Sequence, residues 1–268
     1  MDLSTVLFAF GLTLFAGLAT GLGGLIAVSR KSVSEGFLAG SLGFSVGVML
    51  YVSFVEIFPK AVSELTDAWG PRGGNWAAVL AFFGGIALIA IIDRLVPNAI
   101  NPHEPSTVGG AVDGFERRNR MMKMGVMTAI AIAIHNFPEG FATFLSGLTD
   151  PTIAIPVAVA IAIHNVPEGI AVAVPLREAT GSRRKALGWA TLSGLAEPAG
   201  AIIGFLLLMP FIGPEALGLC FAAVAGIMVF ISVDELLPTA ISSGKHHTAI
   251  YGLIAGMAVM ALSLLLFI

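Results

Sequence analysis

The sequence is a succession of apolar runs, each about the 20 residues that a bilayer core requires of a helix, separated by short clusters of charge, proline and glycine. Eight spans are predicted, at residues 5–28, 36–59, 77–96, 124–145, 153–174, 187–209, 216–240 and 249–268. They take up most of the 268 residues and leave no room for a soluble domain. Composition agrees: 12% of the residues are charged, against roughly 25% in soluble domains. Such a chain cannot cover itself with polar surface, so its main solvent is lipid and the expected fold is an all-α integral membrane protein.

The longest connection, residues 97–123, carries Asn101-Pro102-His103-Glu104-Pro105 and Gly109-Gly110 and is predicted to be a flexible loop. Basic residues set the orientation, because cytoplasmic loops accumulate them. With eight spans, 12 of the 14 lysines and arginines fall on one face and only Lys60 and Arg72 on the other. That face is the cytoplasm, residues 97–123 lie on it, and both termini lie outside. Leu3 opens directly into an apolar run with no basic stretch before it, which predicts a retained first span rather than a cleaved signal. The expected location is the cell membrane, multi-pass.

Several function classes drop out at this point. The net charge of −3 and the absence of a basic patch exclude nucleic acid as a partner. Cys220 is the single cysteine, so there is neither a disulfide framework nor a thiolate metal cluster. Gly21-Leu22-Gly23-Gly24 is followed by no lysine and preceded by no strand, and is not a phosphate loop. Glycines in small-xxx-small spacing, such as Gly17/Gly21 and Gly43/Gly47, let helix backbones approach closely in lipid.

Two repeats are visible within the chain. Residues 131–140, Ala-Ile-Ala-Ile-His-Asn-Phe-Pro-Glu-Gly, recur as residues 160–169 with one difference in ten. Glu56-Ile57-Phe58-Pro59-Lys60-Ala61 is echoed by Glu235-Leu236-Leu237-Pro238-Thr239-Ala240. The members of each pair lie on spans of opposite direction. The arrangement reads as three helices, a central pair, then three inverted, and inverted repeats with broken helices are a transporter signature.

Polar groups inside lipid cost several kcal/mol unless paired or hydrated, so each is a functional candidate. His135, Asn136 and Glu139 sit halfway along span four, His164, Asn165 and Glu168 halfway along span five, and Glu197 halfway along span six. No lysine or arginine falls in a span interior to neutralise the three glutamates. Crowded carboxylates without a protein cation are either protonated or balanced by a bound cation. Spacing favours the cation: histidine at i and glutamate at i+4 share a helix face, so two helices together offer two imidazoles and two carboxylates. The prolines at 138 and 167 each free a carbonyl four residues back, on Ile134 and Ile163. Mixed imidazole and carboxylate donors suit Zn, Fe(II), Mn or Co(II), whereas Mg and Ca prefer oxygen alone. The set has room for one ion or two. A lone intramembrane histidine often does no more than hydrogen-bond a neighbouring helix; two identical motifs of opposite polarity argue against that here. Glu56, Asp234 and Glu235 lie nearer span ends, where they can snorkel to water, and are candidates for an entrance and an exit. His103, His246 and His247 are loop residues.

The doubled His-Asn-x-Pro-Glu-Gly motif, His135 to Gly140 and His164 to Gly169, followed by Gly194-Leu195-Ala196-Glu197-Pro198, resembles the ZIP (Zrt-, Irt-like) metal transporters, in particular their bacterial group. The resemblance covers essentially the whole chain. It implies import of Zn2+, often with Fe2+, Mn2+, Co2+ or Cd2+, into the cytoplasm through a binuclear site. One metal position would draw on His135, Glu139, His164 and Glu168, the other on Asn136, Glu139, Asn165, Glu168 and Glu197, with the central glutamates bridging. The histidine-rich loop that many eukaryotic members carry between spans three and four is lacking; only His103 stands there.

Two other classes remain in view. An intramembrane metalloenzyme would be expected to carry His-Glu-x-x-His or Glu-x-x-His, and the order here is His-x-x-x-Glu. A proton-coupled solute carrier would use the carboxylates as relays. The expected partners are divalent metal ions as cargo, the lipid bilayer and a second copy of the chain as a homodimer. No resident cofactor is expected.

Overall fold

The computed structural model describes residues 2–30, 34–95, 114–149, 151–208, 213–242 and 244–265, and among them every regular element is a helix. These are α1 (Leu3–Ser29), α2 (Glu35–Val52), α3 (Phe58–Leu95), α4 (Gly114–Thr149), α5 (Pro151–Thr180), α6 (Arg183–Gly194), α7 (Ala196–Leu208), α8 (Pro214–Ile231), α9 (Leu237–Ser242) and α10 (His246–Leu265). Two five-residue π-helical turns, Ser53–Ile57 and Ser232–Leu236, join α2 to α3 and α8 to α9.

Among the described residues, six stretches are long and apolar enough to cross a membrane: Leu3–Ser29, Glu35–Ile92, Ala154–Thr180, Arg183–Leu207, Glu215–Ser242 and His246–Leu265. At about 1.5 Å per residue α1 is roughly 40 Å long, more than a hydrocarbon core of about 30 Å needs. Glu35–Ile92, 58 residues, would by the same rise be roughly 87 Å if straight, too long for one crossing. It is not straight. Gly70 takes φ 74° and ψ 167°, a conformation open to glycine, and Pro71 restarts the helix with its ring preset at the first position.

The start of α4 differs from expectation. Residues 114–123, assigned to the loop 97–123 from sequence, are helical, so α4 begins well before the predicted span at 124. Its first turns are anchored by the Arg118 guanidinium, whose Nε donates to the Ala179 carbonyl at the end of α5 (3.1 Å). Residues 97–113 of that loop, His103 among them, lie outside the described residues.

The bundle is turned inside out relative to a soluble protein. Leu7, Leu22, Leu80, Phe83, Leu206 and Leu262 are more than half exposed, while Thr20, Asn136, Glu139, His164, Asn165, Glu168 and Glu197 are almost fully buried. Apolar surface on this scale is stable only against lipid. Within it α1 packs along α5, α2 along α10 and α3 along α8, and α4 lies between α5 and α7.

The two π-helical turns share a local chemistry. Each is opened by a serine whose hydroxyl donates to the carbonyl four residues back, Ser53 to Met49 and Ser232 to Met228, both at 2.7 Å. Each precedes a proline, Pro59 or Pro238, that has no N–H to give back to the ladder. A π-helical turn re-registers the helix around the missing bond and swings one residue out of its face. Glu56 and Glu235 sit at the same place in the two turns.

Candidate metal site

Both His-Asn-x-Pro-Glu-Gly motifs lie within unbroken helices, α4 running through Pro138 and α5 through Pro167. Helical spacing stacks His164 over Glu168 on one face of α5, and Asn136 and Glu139 on one face of α4. The helices pack closely because the motif glycines let them. A Cβ on Gly140 would lie 2.1 Å from the Glu197 carbonyl oxygen, and one on Gly169 would lie 1.8 Å from that of Thr20. Any side chain at either position would separate α4 from α7, or α5 from α1.

The motifs meet across the interface. His164 Nε2 of α5 lies 3.2 Å from Glu139 Oε1 of α4, both side chains buried. Ser45 of α2 donates its hydroxyl to Glu168 Oε1 at 3.2 Å. The asparagines are fixed through their amino groups. Asn165 Nδ2 donates to the Ala16 carbonyl (3.0 Å) and to Glu197 Oε1, and Asn136 Nδ2 donates to the Ser193 carbonyl (3.4 Å). Only an amide nitrogen can serve acceptors of that kind, so each carbonyl oxygen is turned the other way. Asn136 Oδ1, Asn165 Oδ1 and Glu197 Oε2 are buried and find no hydrogen-bond partner among the described residues.

Glu197 owes its position to a break the sequence reading missed. Span six is two helices, α6 and α7, joined at Leu195, and Glu197 stands in the first turn of α7. Pro198 has no N–H to offer the carbonyl of Gly194. That carbonyl is instead pressed against α1, 2.5 Å from where a Cβ on Gly17 would lie. The helix breaks where its polar residue enters the interior.

Of the residues singled out from sequence, Asn136, Glu139, His164, Asn165, Glu168 and Glu197 are all buried, and among them His164 meets Glu139 and Asn165 meets Glu197. His135 lies on α4 one residue before Asn136, and its side chain is outside the described ones. Among the described side chains, no three of His, Cys, Asp and Glu converge tightly enough to share one ion. Glu56 and Glu139 line the same narrow cleft, together with Lys60, Thr143 and Ser146. Glu235 is 8% exposed, enclosed rather than snorkelling, and Asp234 beside it is exposed.

Three participants escaped the sequence reading. Ser45 looked like any small residue of an apolar span. Lys60, placed at a span end, reaches into the cleft, its ammonium 5.1 Å from the Phe221 ring centroid and 3.4 Å from Thr149 Oγ1. Thr20 is buried on α1; its signal was the recurrence of Gly17-Leu18-Ala19 as Gly194-Leu195-Ala196, followed by Thr20 in one copy and Glu197 in the other.

A family model described as ZIP Zinc transporter matches residues 101–264. The chain belongs to the ZIP zinc transporter family. Proteins called Zinc transporter ZupT agree with it over nearly their full length. That of Corynebacterium glutamicum is 90% identical, covering 98% of this chain and 100% of the relative. That of Streptococcus mutans is 61% identical over 97% of each chain. That of Clostridium perfringens is 54% identical over 100% of this chain and 98% of the relative. The ZIP family is one of transporters, not enzymes, which sets the intramembrane metalloenzyme aside and makes the chain a multi-pass cell-membrane protein.

Proposed function

We propose that this ZIP-family chain carries divalent transition-metal ions, zinc first among them, into the cytoplasm through the cluster between its two His-Asn-x-Pro-Glu-Gly motifs. The observation that carries the reading is the crossing of the motifs, with His164 of one 3.2 Å from Glu139 of the other inside an apolar bundle. Asn136, Asn165 and Glu197 each carry a buried oxygen without a hydrogen-bond partner among the described residues. Buried acceptors without a donor are costly unless a cation joins them.

The donor set favours zinc and its neighbours Fe(II), Mn(II), Co(II) and Cd(II) over Mg2+, since imidazole is a borderline ligand and Mg2+ demands oxygen and keeps its waters. We assign His135, Glu139, His164 and Glu168 to one metal position. A second is assigned to Asn136, Glu139, Asn165, Glu168 and Glu197, the shared glutamates bridging. The chain crosses eight times in a 3+2+3 inverted repeat with both termini outside. Support comes from the division of Glu35–Ile92 at Gly70 and from the matched π-helical turns. In that orientation the cleft from Glu56 to Glu139 is the outer entry, and Asp234 and Glu235 flank the inner exit.

The test is calorimetry on detergent-purified protein followed by uptake into sealed liposomes. Zinc is expected to bind and to resist displacement by a thousandfold excess of Mg2+. Equal competition by Mg2+ would remove the imidazole from the ligand set.

A further inference from the structure

We infer that Thr20 completes the metal site on the side opposite Glu197, its hydroxyl and the Asn136 carbonyl oxygen together holding a water that hydrates the passing ion. The inference rests on the metal-site reading above and adds a group to it.

Three sets of contacts relate Thr20 to Glu197. First, Cβ atoms on Gly169 and Gly140 would strike the carbonyl oxygens of Thr20 and Glu197. Second, one turn further, Cβ atoms on Gly23 and Gly200 would each come within 1.9 Å of a motif carbonyl, that of Val166 or Phe137. Third, Asn165 donates to Ala16, four residues before Thr20, and Asn136 donates to Ser193, four residues before Glu197. Where α1 crosses the α6–α7 break, Glu197 Cβ faces Gly17 and Thr20 Cβ faces Gly194. The two positions are thus equivalent, and the pair Glu197–Asn165 has Thr20–Asn136 as its counterpart.

The counterparts differ in reach. Glu197 accepts from Asn165 directly. A threonine hydroxyl ends two bonds short of a glutamate oxygen, and on that side Thr20 Oγ1 and Asn136 Oδ1 are both buried without a hydrogen-bond partner among the described residues. A helical threonine ordinarily donates to the carbonyl four residues back, as Thr13, Thr143 and Thr191 do here. For Thr20 that carbonyl is Ala16, which the Asn165 amide already occupies in addition to its place in the helical ladder. The hydroxyl is therefore left without its usual backbone bond. Two buried oxygens without partners, on positions equivalent to a directly bonded pair, make a site where one water satisfies both.

A threonine here also keeps the cluster at three carboxylates, Glu139, Glu168 and Glu197, where a symmetric site would carry four. One side grips with charge and the other through water. An ion held this way keeps part of its hydration and leaves more readily than one in a fully anionic cage.

The experiment uses the full-length chain purified in detergent, with zinc affinity by calorimetry and thermal midpoints with and without zinc. Thr20→Val, isosteric and lacking the hydroxyl, is expected to weaken zinc binding about tenfold, as removal of supporting polar groups does at metal sites, without lowering the zinc-free midpoint. Thr20→Ser restores most of the affinity. Thr20→Glu tightens binding about tenfold and slows zinc release into liposomes. Wild-type affinity in Thr20→Val, or a zinc-free midpoint that falls as far as the zinc-bound one, overturns the inference and leaves the metal site standing. Absence of zinc binding by the unsubstituted chain overturns the metal-site reading itself.

Discussion

Asn165 donates its side-chain amide to the carboxylate of Glu197, so a buried glutamate outside the two motifs is aligned by a residue inside one of them. The contact spans α5 and the break between α6 and α7, and it aims the Asn165 carbonyl away from the carboxylate. Replacing the amide by a second carboxylate turns an attraction into a repulsion while keeping the shape. Asn165→Asp is expected to lower the zinc-free stability by about 2 kcal/mol, a fall of roughly 5 °C in midpoint for a chain of this size. Zinc should recover most of it. A midpoint unchanged without zinc would show that the amide does not hold Glu197.

The close helix crossings at the motif glycines make a second prediction. A Cβ at Gly140 or Gly169 meets backbone, which cannot give way, whereas one at Gly11 or Gly36 meets nothing within 4 Å. Gly140→Ala and Gly169→Ala should each cost about 1–3 kcal/mol, the usual range for overpacking. Gly11→Ala and Gly36→Ala should be neutral or slightly stabilising. Thermal melting of the four proteins ranks them.

Charge in the cleft sets the third. Glu56 and Lys60 line the same narrow cleft as Glu139, and fixed charge at the mouth of an entry concentrates or repels the ions that enter. Glu56→Gln should raise the apparent KM for zinc flux about threefold and Lys60→Met should lower it by a similar factor, both effects fading at high salt. Changes of the same sign in both variants would show that the cleft is not the entry.

Orientation is read most simply from chemical labelling. In a Cys220→Ala background, single cysteines replace Ser29 and Thr149, both exposed at helix ends. An impermeant thiol reagent on intact cells should label Thr149→Cys and spare Ser29→Cys. The reverse pattern would invert the assignment of inside and outside.

What the sequence disclosed and what it withheld divide along physical lines. The all-helical, membrane-spanning character of the chain and the two motifs were legible because lipid imposes a hydropathy pattern and because intramembrane charge is costly enough to stand out. The break at Leu195 and the two π-helical turns were not. Each depends on a proline whose missing bond can be absorbed in several ways, and packing chooses among them: Pro138 and Pro167 leave their helices continuous, while Pro198 follows a break. Ser45 and Thr20 were hidden for another reason. Hydroxyls are common in membrane helices because they return a bond to their own backbone, and only the occupied Ala16 carbonyl makes Thr20 an exception.

The central claim is that the cluster joined by His164 and Glu139 is where the ion passes. Its most direct test is zinc flux into sealed liposomes carrying the wild-type chain, Glu139→Gln or Glu168→Gln, followed with an internal zinc-sensitive dye. Each substitution keeps the side chain's shape and removes one of the negative charges that replace the ion's hydration in low dielectric. The account predicts rapid zinc entry with the wild-type chain and none above protein-free liposomes with either variant. Near-wild-type flux in both variants would contradict it.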